Sequence, residues 1–327
     1  MAEQKSQASA ARKLRAARSA EGQHPVRFRA EKRKKNRQKR QRLISLAVLI
    51  AAAALVLWGT FRRPPKEYLA GENTLAVHFI DVGQGDCTLC ACGGEIMLID
   101  SGEDQCAPEV VSYLRRRGIK RIDRLVATHP HSDHMGGMYR IAKAFDIGEV
   151  LMPHLMEADI PDSANYRRFM DVCEHKGYKV TEVSAGARFS FGGASAEVLS
   201  PKEGGYADLN DDSLCLLLKY GQNSFLLTGD AGTAPELEMA ASGRLGHVSL
   251  YKAGHHGSDT SSSEALLAAI TPDCAVISCG AGNTHGHPAD PAVERIAGYT
   301  DKIYRTDLQG TIIAESDGEV LKITTER

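Results

Sequence analysis

Polar and basic residues open the chain, and then the pattern changes abruptly. Leu43 to Phe61 (LISLAVLIAAAALVLWGTF) runs for 19 residues without a charge, between Arg42 and Arg62-Arg63-Pro64-Pro65. A helix of that length spans about 28 Å, close to the hydrocarbon thickness of a bilayer. Only Ser45 and Thr60 interrupt the run, so it lacks the polar stripe of a core helix. Trp58 and Phe61 fall where aromatic rings favour a membrane interface. With 42 residues before the run and Trp58-Gly59-Thr60-Phe61-Arg62-Arg63 after it, the pattern predicts an uncleaved signal anchor rather than a signal peptide, whose n-region is short and whose cleavage site is rich in small residues.

Past Pro64-Pro65 the period shortens. Strand-type runs recur at Thr74–Ile80, Thr88–Cys92, Glu95–Ile99, Arg124–Thr128, Glu149–Met152, Ala196–Ser200, Leu214–Tyr220 and Ser224–Leu227. Others follow at Val248–Tyr251, Cys274–Cys279, Lys302–Arg305, Thr311–Ala314 and Val320–Ile323. Helical patterns lie between them near Pro108–Arg116, Met138–Phe145, Ser163–Lys176, Ala234–Ala241, Ser262–Ile270 and Pro291–Ala297, several entered by Ser, Asp or Pro. Hairpins in each half with helices interleaved predict an α/β (α+β) domain of mixed sheets covered by helices, not a purely parallel doubly wound sheet.

Charge sharpens the division of the chain. The whole sequence carries 40 Lys+Arg and 41 Asp+Glu, a formal charge of -1. Residues 1–42 hold 15 Lys or Arg and only Glu3, Glu21 and Glu31 as acids, a net +12, which leaves -13 for the other 285 residues. The basic flank abutting the apolar run predicts a cytoplasmic N-terminus and an extracytoplasmic domain, with anionic lipid as a partner for the tail. A nucleic-acid-binding tail is the rival for the same cluster. The expected organisation is a disordered tail over 1–42, a single membrane span over 43–61, a linker over 62–73 and one folded domain over 74–327. Eight cysteines in an exported domain permit disulfides, but Cys87, Cys215, Cys274 and Cys279 lie in apolar runs that favour buried thiols.

The chemistry concentrates in Thr128-His129-Pro130-His131-Ser132-Asp133-His134-Met135-Gly136-Gly137, between a strand and a helical pattern. Four candidate ligands in six residues exceed what one tetrahedral site takes from one loop, and imidazoles with carboxylate suit zinc or a similar divalent ion. The spacing suggests two ions: His129 and His131 on one, Asp133 and His134 on the other. Ser224-Phe-Leu-Leu-Thr-Gly-Asp230 ends a buried strand in a carboxylate able to bridge two cations, and Gly254-His255-His256-Gly257-Ser258 again follows a strand.

These segments resemble the metallo-β-lactamase fold superfamily, whose His-x-His-x-Asp-His signature is matched by His129, His131, Asp133 and His134. Within it the chain is similar to the exported hydrolase domain of the ComEC competence family, carried by Phe79-Ile-Asp-Val-Gly-Gln-Gly-Asp86, Leu98-Ile-Asp100-Ser-Gly102, Asn210-Asp-Asp-Ser213, Leu227-Thr-Gly-Asp230, the His255 motif and Gly286-His287-Pro288. The resemblance implies a four-layer αββα sandwich with one or two divalent ions, zinc or alternatively manganese, at one edge. It implies metal ligation by His129, His131, Asp133, His134 and Asp230, and a structural role for Asp100. Asp86, Asn210, Ser213 and Ser258 would line the cleft or support the ligands. The family's third histidine of the first site has no counterpart, and Asn210, Asp211 and Asp212 occupy that region. His255, His256 and His287 compete for the last ligand position; His255 is favoured, with His256 and His287 near the leaving group or substrate phosphate. With one span and no multi-span channel region, the chain reads as a stand-alone anchored hydrolase.

Two ions about 3.5–4 Å apart suit in-line phosphoryl displacement, with Asp133 and Asp230 orienting the attacking water and His256 or His287 as proton donor. The expected function is therefore an extracytoplasmic phosphodiesterase, a DNase in the family's sense. The acidic domain counts against tight DNA binding, and Arg115, Arg116, Arg117, Lys120, Arg121 and Arg124 form its one basic run. Hydrolysis of a small or cell-wall phosphodiester, a lactam or a thioester is the second enzyme reading; a non-catalytic anchored binding protein is the alternative from another class.

Overall fold

The computed structural model describes residues 34–35, 37–46, 48–50, 69–157, 160–202 and 205–327. The chain divides into two compact units, Met1–Pro65 and Lys66–Arg327. In the first, residues 37–46 and 48–50 are helical, and Leu43, Ile44, Leu46, Val48, Leu49 and Ile50 are all exposed. Among the described residues no helix is long and apolar enough to cross a membrane. Residues 51–61 of the expected span, most of the 62–73 linker and the tail to residue 33 lie outside the described residues.

The second unit is built on two sheets. Strands β1 (Leu75–Phe79), β2 (Thr88–Cys92), β3 (Glu95–Ile99), β4 (Arg121–Val126), β5 (Asp146–Pro153) and β6 (Lys179–Val183) join β14 (Ile312–Ser316) and β15 (Leu321–Thr325) in the order β15-β14-β1-β2-β3-β4-β5-β6. The other sheet has the order β13-β12-β11-β10-β9-β8-β7, from β7 (Arg188–Phe191), β8 (Ala194–Ser200), β9 (Cys215–Tyr220), β10 (Asn223–Leu227), β11 (Leu250–Lys252), β12 (Ala275–Ile277) and β13 (Ile303–Arg305). Each sheet begins with antiparallel hairpins and continues in parallel pairs, β3 to β6 in one and β10 to β13 in the other. The mixed pairing expected from the alternation of hairpins and helices is present.

Alternation along the strands sorts the apolar residues into three layers. Val77, Phe79, Met97 and Ile99 of one sheet meet Val198, Leu216, Leu218 and Phe225 of the other in the central layer. Leu89, Leu98, Leu125 and Val150 face outward onto Val110, Tyr113 and Leu114 of α1 (Ala107–Arg116), Ile141 of α3 (Met138–Ala144) and Phe169 of α4 (Ala164–Lys176). Leu217, Leu226, Tyr251 and Ile277 face outward from the second sheet onto Met239 of α5 (Thr233–Ala241), Leu266 and Ile270 of α6 (Glu264–Ile270) and Ile296 of α7 (Asp290–Ala297). Helices on both outer faces of two packed sheets make the αββα sandwich.

Four short elements depart from the sequence pattern. β6 and β7 are edge strands carrying Lys179, Glu182 and Arg188, and charges that blunt an edge also erase the alternation that would reveal it. α2 (Ser132–Met135) lies inside the metal-type motif and α8 (Thr306–Gln309) inside a turn; one helical turn has no readable period. All eight cysteines are free, and all but Cys106 are buried.

Candidate metal centre

Parallel pairing decides where the polar residues gather. In such sheets the loops at the carboxyl ends of the strands share one edge. β3 delivers Asp100 there, β4 the loop with His129 to His134, β10 Gly229-Asp230, and β11 the turn Gly254–Gly257 with His255 and His256. His255 and His256 adopt φ of 48° and 54°, two consecutive left-handed residues of the kind found strained at functional sites. After β1, Gly85 with φ +132° turns so close to the metal-type loop that a Cβ would stand 2.4 Å from the Asp133 carbonyl oxygen.

Hydrogen bonds behind the imidazoles fix which nitrogen faces inward. His134 Nδ1 lies 2.7 Å from Asp100 Oδ2 and His256 Nδ1 lies 3.0 Å from the Ser278 carbonyl. Both partners accept, so Nδ1 carries the proton in each ring and Nε2 is the free ligand atom. His134 Nε2 stands 3.2 Å from Asp230 Oδ2, His256 Nε2 3.4 Å from the same oxygen and 3.2 Å from Asp133 Oδ2, and Asp133 Oδ2 3.9 Å from His134 Nε2. A tetrahedral ion at the usual metal–ligand distance sets its ligand atoms about 3.4 Å apart. The four spacings run from 3.2 to 3.9 Å, so Asp133, His134, Asp230 and His256 would hold one divalent ion at their Nε2 and Oδ2 atoms; Asp86, grouped as closely with the last three, lies on the Nδ1 side of both rings, 4.0 Å from His134 Nδ1 and 3.5 Å from His256 Nδ1. Asp230 Oδ1 is buried without a hydrogen-bond partner, a costly state for a polar atom unless a ligand completes it.

Beside this set, His129 Nε2 lies 3.1 Å from His131 Nδ1, which lies 2.9 Å from Asn210 Oδ1. Asn210 therefore stands where the pattern lacks a third histidine, and offers a neutral oxygen. Ser213 Oγ lies 3.3 Å from His129 Nδ1 and accepts from the Asp230 backbone N–H at 3.0 Å, tying the two groups together.

Electrostatics match the geometry. Burial opposes charge on His134 and His256, yet Asp230, with Asp100 for His134 and Asp133 for His256, outweighs it and holds both imidazoles well above the ordinary histidine value. Burial likewise opposes charge on Asp230, but both imidazoles hold it well below the carboxylate range. The pocket therefore demands positive charge at the Nε2 faces, and a cation that meets this demand releases protons on binding. His129, fully buried and next to charged His134, is pushed well down and keeps a lone pair free.

The sequence pattern favours His255 as the last ligand; in the structure His256 is the nearer of the two to the carboxylates, its Nε2 3.4 Å from Asp230 Oδ2 and 3.2 Å from Asp133 Oδ2. His256 is buried among the carboxylates, and Asp86, His134, Asp230 and His256 form a close group. His255 Nε2 is 3.9 Å from Asp230 Oδ2 with a quarter of its side chain exposed, because the left-handed turn points the two rings apart, 70° between planes. His287 stands outside the cluster, its ring 5.3 Å from that of His255 and 6.3 Å from that of His256. Asp100 receives the Thr128 N–H and hydroxyl at 2.9 and 2.6 Å as well as His134. Ser258 donates its backbone N–H to the His255 carbonyl at 2.8 Å, and its hydroxyl reaches the His255 ring through Thr260, 3.0 Å from Ser258 and 3.3 Å from His255. The basic run is largely spent internally: Arg121 pairs with Asp123 and Asp146, Arg124 with Glu95, and Arg117 packs over the Tyr113 ring. Lys252, unmarked by sequence reasoning, is buried with Nζ 2.6 Å from Asp86 Oδ2. A lysine at an inward-facing position of an otherwise apolar strand is the signal that could have found it.

Two mixed sheets wrapped by helices, with His and Asp side chains converging from both at one edge, define a metallo-hydrolase architecture. Residues 80–281 match the metallo-beta-lactamase superfamily, and the chain belongs to that superfamily. It is 30% identical over 273 residues to Recombination protein 2 of Haemophilus influenzae, covering 82% of this chain and 31% of that protein. It is 31% identical over 245 residues to Competence protein ComA of Neisseria gonorrhoeae, covering 74% of this chain and 32% of that one. It is 26% identical over 254 residues to ComE operon protein 3 of Bacillus subtilis, covering 72% and 32%. These are competence proteins of the ComEC type, and the chain spans about a third of their length. The fold is also that of CmlA, a diiron β-hydroxylase from Streptomyces venezuelae, at a TM-score of 0.51 and 18% identity over 79% of this chain and 55% of that one.

Proposed function

We propose that the chain is a metal-dependent phosphodiesterase acting on DNA or a related phosphodiester outside the cytoplasmic membrane. The observation that carries this reading is the cluster of Asp133, His134 and His256 around Asp230, with a second chain of donors, His129, His131 and Asn210, tied to it through Ser213. Divalent ions held there, zinc by the donor chemistry with manganese as the alternative, would supply Lewis acidity and an activated water for in-line attack at phosphorus. The chain's own residues do the rest. Asp133, partly exposed where Asp230 is buried, accepts a hydrogen bond from the attacking water and fixes its direction. With His256 enclosed by carboxylates, His255 and His287 are left to meet the substrate. Burial lowers both below the ordinary histidine value, so near neutral pH they are uncharged and bind a phosphate oxygen as N–H donors, His287 at the leaving oxygen.

The competence and recombination names of the relatives support DNA as substrate. The acidic domain and its internally paired arginines favour the second reading, a small or cell-wall phosphodiester, a lactam or a thioester. The test is hydrolysis of single-stranded DNA, bis(p-nitrophenyl) phosphate and a β-lactam by the metal-loaded chain, with Asp133→Ala as control. Cleavage of both phosphodiesters, lost in the variant, is expected. Activity on the lactam alone overturns the phosphodiesterase reading, and metal binding without turnover of any substrate would make the chain an anchored binding protein.

We also propose that residues 43–61 anchor the chain as a single span, N-terminus in the cytoplasm, with the basic tail on anionic lipid. The exposed leucines and isoleucines of the helical residues 43–46 and 48–50 support an apolar surrounding. Protease should digest residues 66–327 in spheroplasts; protection there would reverse the orientation.

A further inference from the structure

The ligand set is assembled from both sheets. Asp133 and His134 follow β4 of one, Asp230 and His256 follow β10 and β11 of the other, so a coordination sphere with spacings near 3.4 Å depends on how the two sheets are held at this edge. Lys252, the last residue of β11, is buried, and its Nζ contacts Asp86 Oδ2 at 2.6 Å. Asp86, equally buried, belongs to the turn after β1 in the opposite sheet. Its backbone N–H donates to the Asp133 carbonyl at 3.1 Å, its carbonyl accepts from the Gly102 N–H at 2.8 Å, and its Oδ1 lies 3.5 Å from His256 Nδ1. One ion pair therefore joins the end of the strand that leads to His256 to the turn whose backbone hydrogen-bonds the Asp133 carbonyl. Asp86 sits behind the rings, on their Nδ1 side, and so supports the ligands without taking a place in front of them.

We propose that Lys252 is a positioning residue of the metal centre, an intersheet strut that acts through Asp86 to hold the Asp133–His134 and Asp230–His256 pairs in register; this rests on the metal-binding reading above. Removing such an outer partner costs about 10–100-fold in metal affinity. Because Lys252 acts through Asp86, the two residues form one unit, and deleting both costs no more than deleting one.

The experiment measures Zn2+ and Mn2+ affinity of the full chain by chelator competition in wild type, Lys252→Met, Asp86→Asn and the double variant, with circular dichroism to establish folding. Each single substitution is expected to weaken binding about 10–100-fold, and the double variant to bind no more weakly than the weaker single. Wild-type affinity in a folded single variant, or losses that multiply in the double, overturns the strut. Should Lys252→Met fail to fold, the isosteric Asp86→Asn carries the test alone: the same loss supports the strut and wild-type affinity overturns it. His134→Gln separates the underlying reading, since undiminished binding there would overturn the metal site itself.

Discussion

Alanine substitutions at two neighbouring glycines test whether the turn after β1 braces the metal-type loop. Gly83 (φ +74°) and Gly85 (φ +132°) both hold backbone that L side chains rarely adopt, but a Cβ at Gly83 meets nothing within 4 Å whereas one at Gly85 stands 2.4 Å from the Asp133 carbonyl oxygen. Gly83→Ala then pays backbone strain alone, about 1–2 kcal/mol. Gly85→Ala carries at least that strain, since φ +132° lies outside the left-handed well, together with an overlap of about 1 Å against backbone, which overpacking places at a further ~1–3 kcal/mol or relieves by pushing the loop away. Urea unfolding followed by circular dichroism, with and without zinc, reads both effects. Gly85→Ala should be the less stable by about 1–3 kcal/mol and bind zinc at least about tenfold more weakly; Gly83→Ala should keep wild-type affinity. Equal stability and equal zinc affinity in the two variants would refute the bracing.

His256→Ala should lose more than about 100-fold in zinc affinity, beyond the range for outer-sphere partners, and His255→Ala less than about tenfold; chelator competition reads the order, and the reverse order would restore His255 as ligand. Zinc at about 100 times its dissociation constant should stabilise the fold by about 2.7 kcal/mol, a rise of about 5–10 °C in melting temperature that EDTA abolishes; no shift would show that the pocket is not completed by the ion. His78 gives a pH prediction away from the site. Burial is the main cause that lowers its pKa to about 4, and since Leu69 O can only accept, Nε2 donates to it while Nδ1 accepts from the Tyr113 hydroxyl. Above pH 6.5 neither folded nor unfolded chain protonates this ring. As pH falls towards 4 only the unfolded chain does, so stability is withdrawn by about 3 kcal/mol. Urea midpoints should fall less steeply for His78→Gln across that window, and identical slopes would contradict the assignment.

The regular parts of the fold are legible in the sequence because burial and period agree there. The runs at Thr88–Cys92 and Glu95–Ile99 are strands with those bounds, and the amphipathic patterns became α1, α3, α4, α5, α6 and α7 within a residue or two. β6 and β7 were hidden by their own edge charges. At the site, residue types were readable but directions were not. His255 and His256 are adjacent letters, and only the left-handed turn that buries one beside Asp230 and leaves the other in the cleft separates their roles. Asp86 and Lys252 lie far apart in sequence, one in a Gly-rich turn and one at the end of a strand, and no spacing rule could join them across the two sheets.

The most direct test of the central claim is anomalous diffraction from crystals of the zinc-loaded chain. The account predicts a metal peak within bonding distance of Asp133, His134, Asp230 and His256, with Asp86 and Lys252 still paired behind it. A peak bound by His255 in place of His256, or zinc held only at other residues, would contradict it.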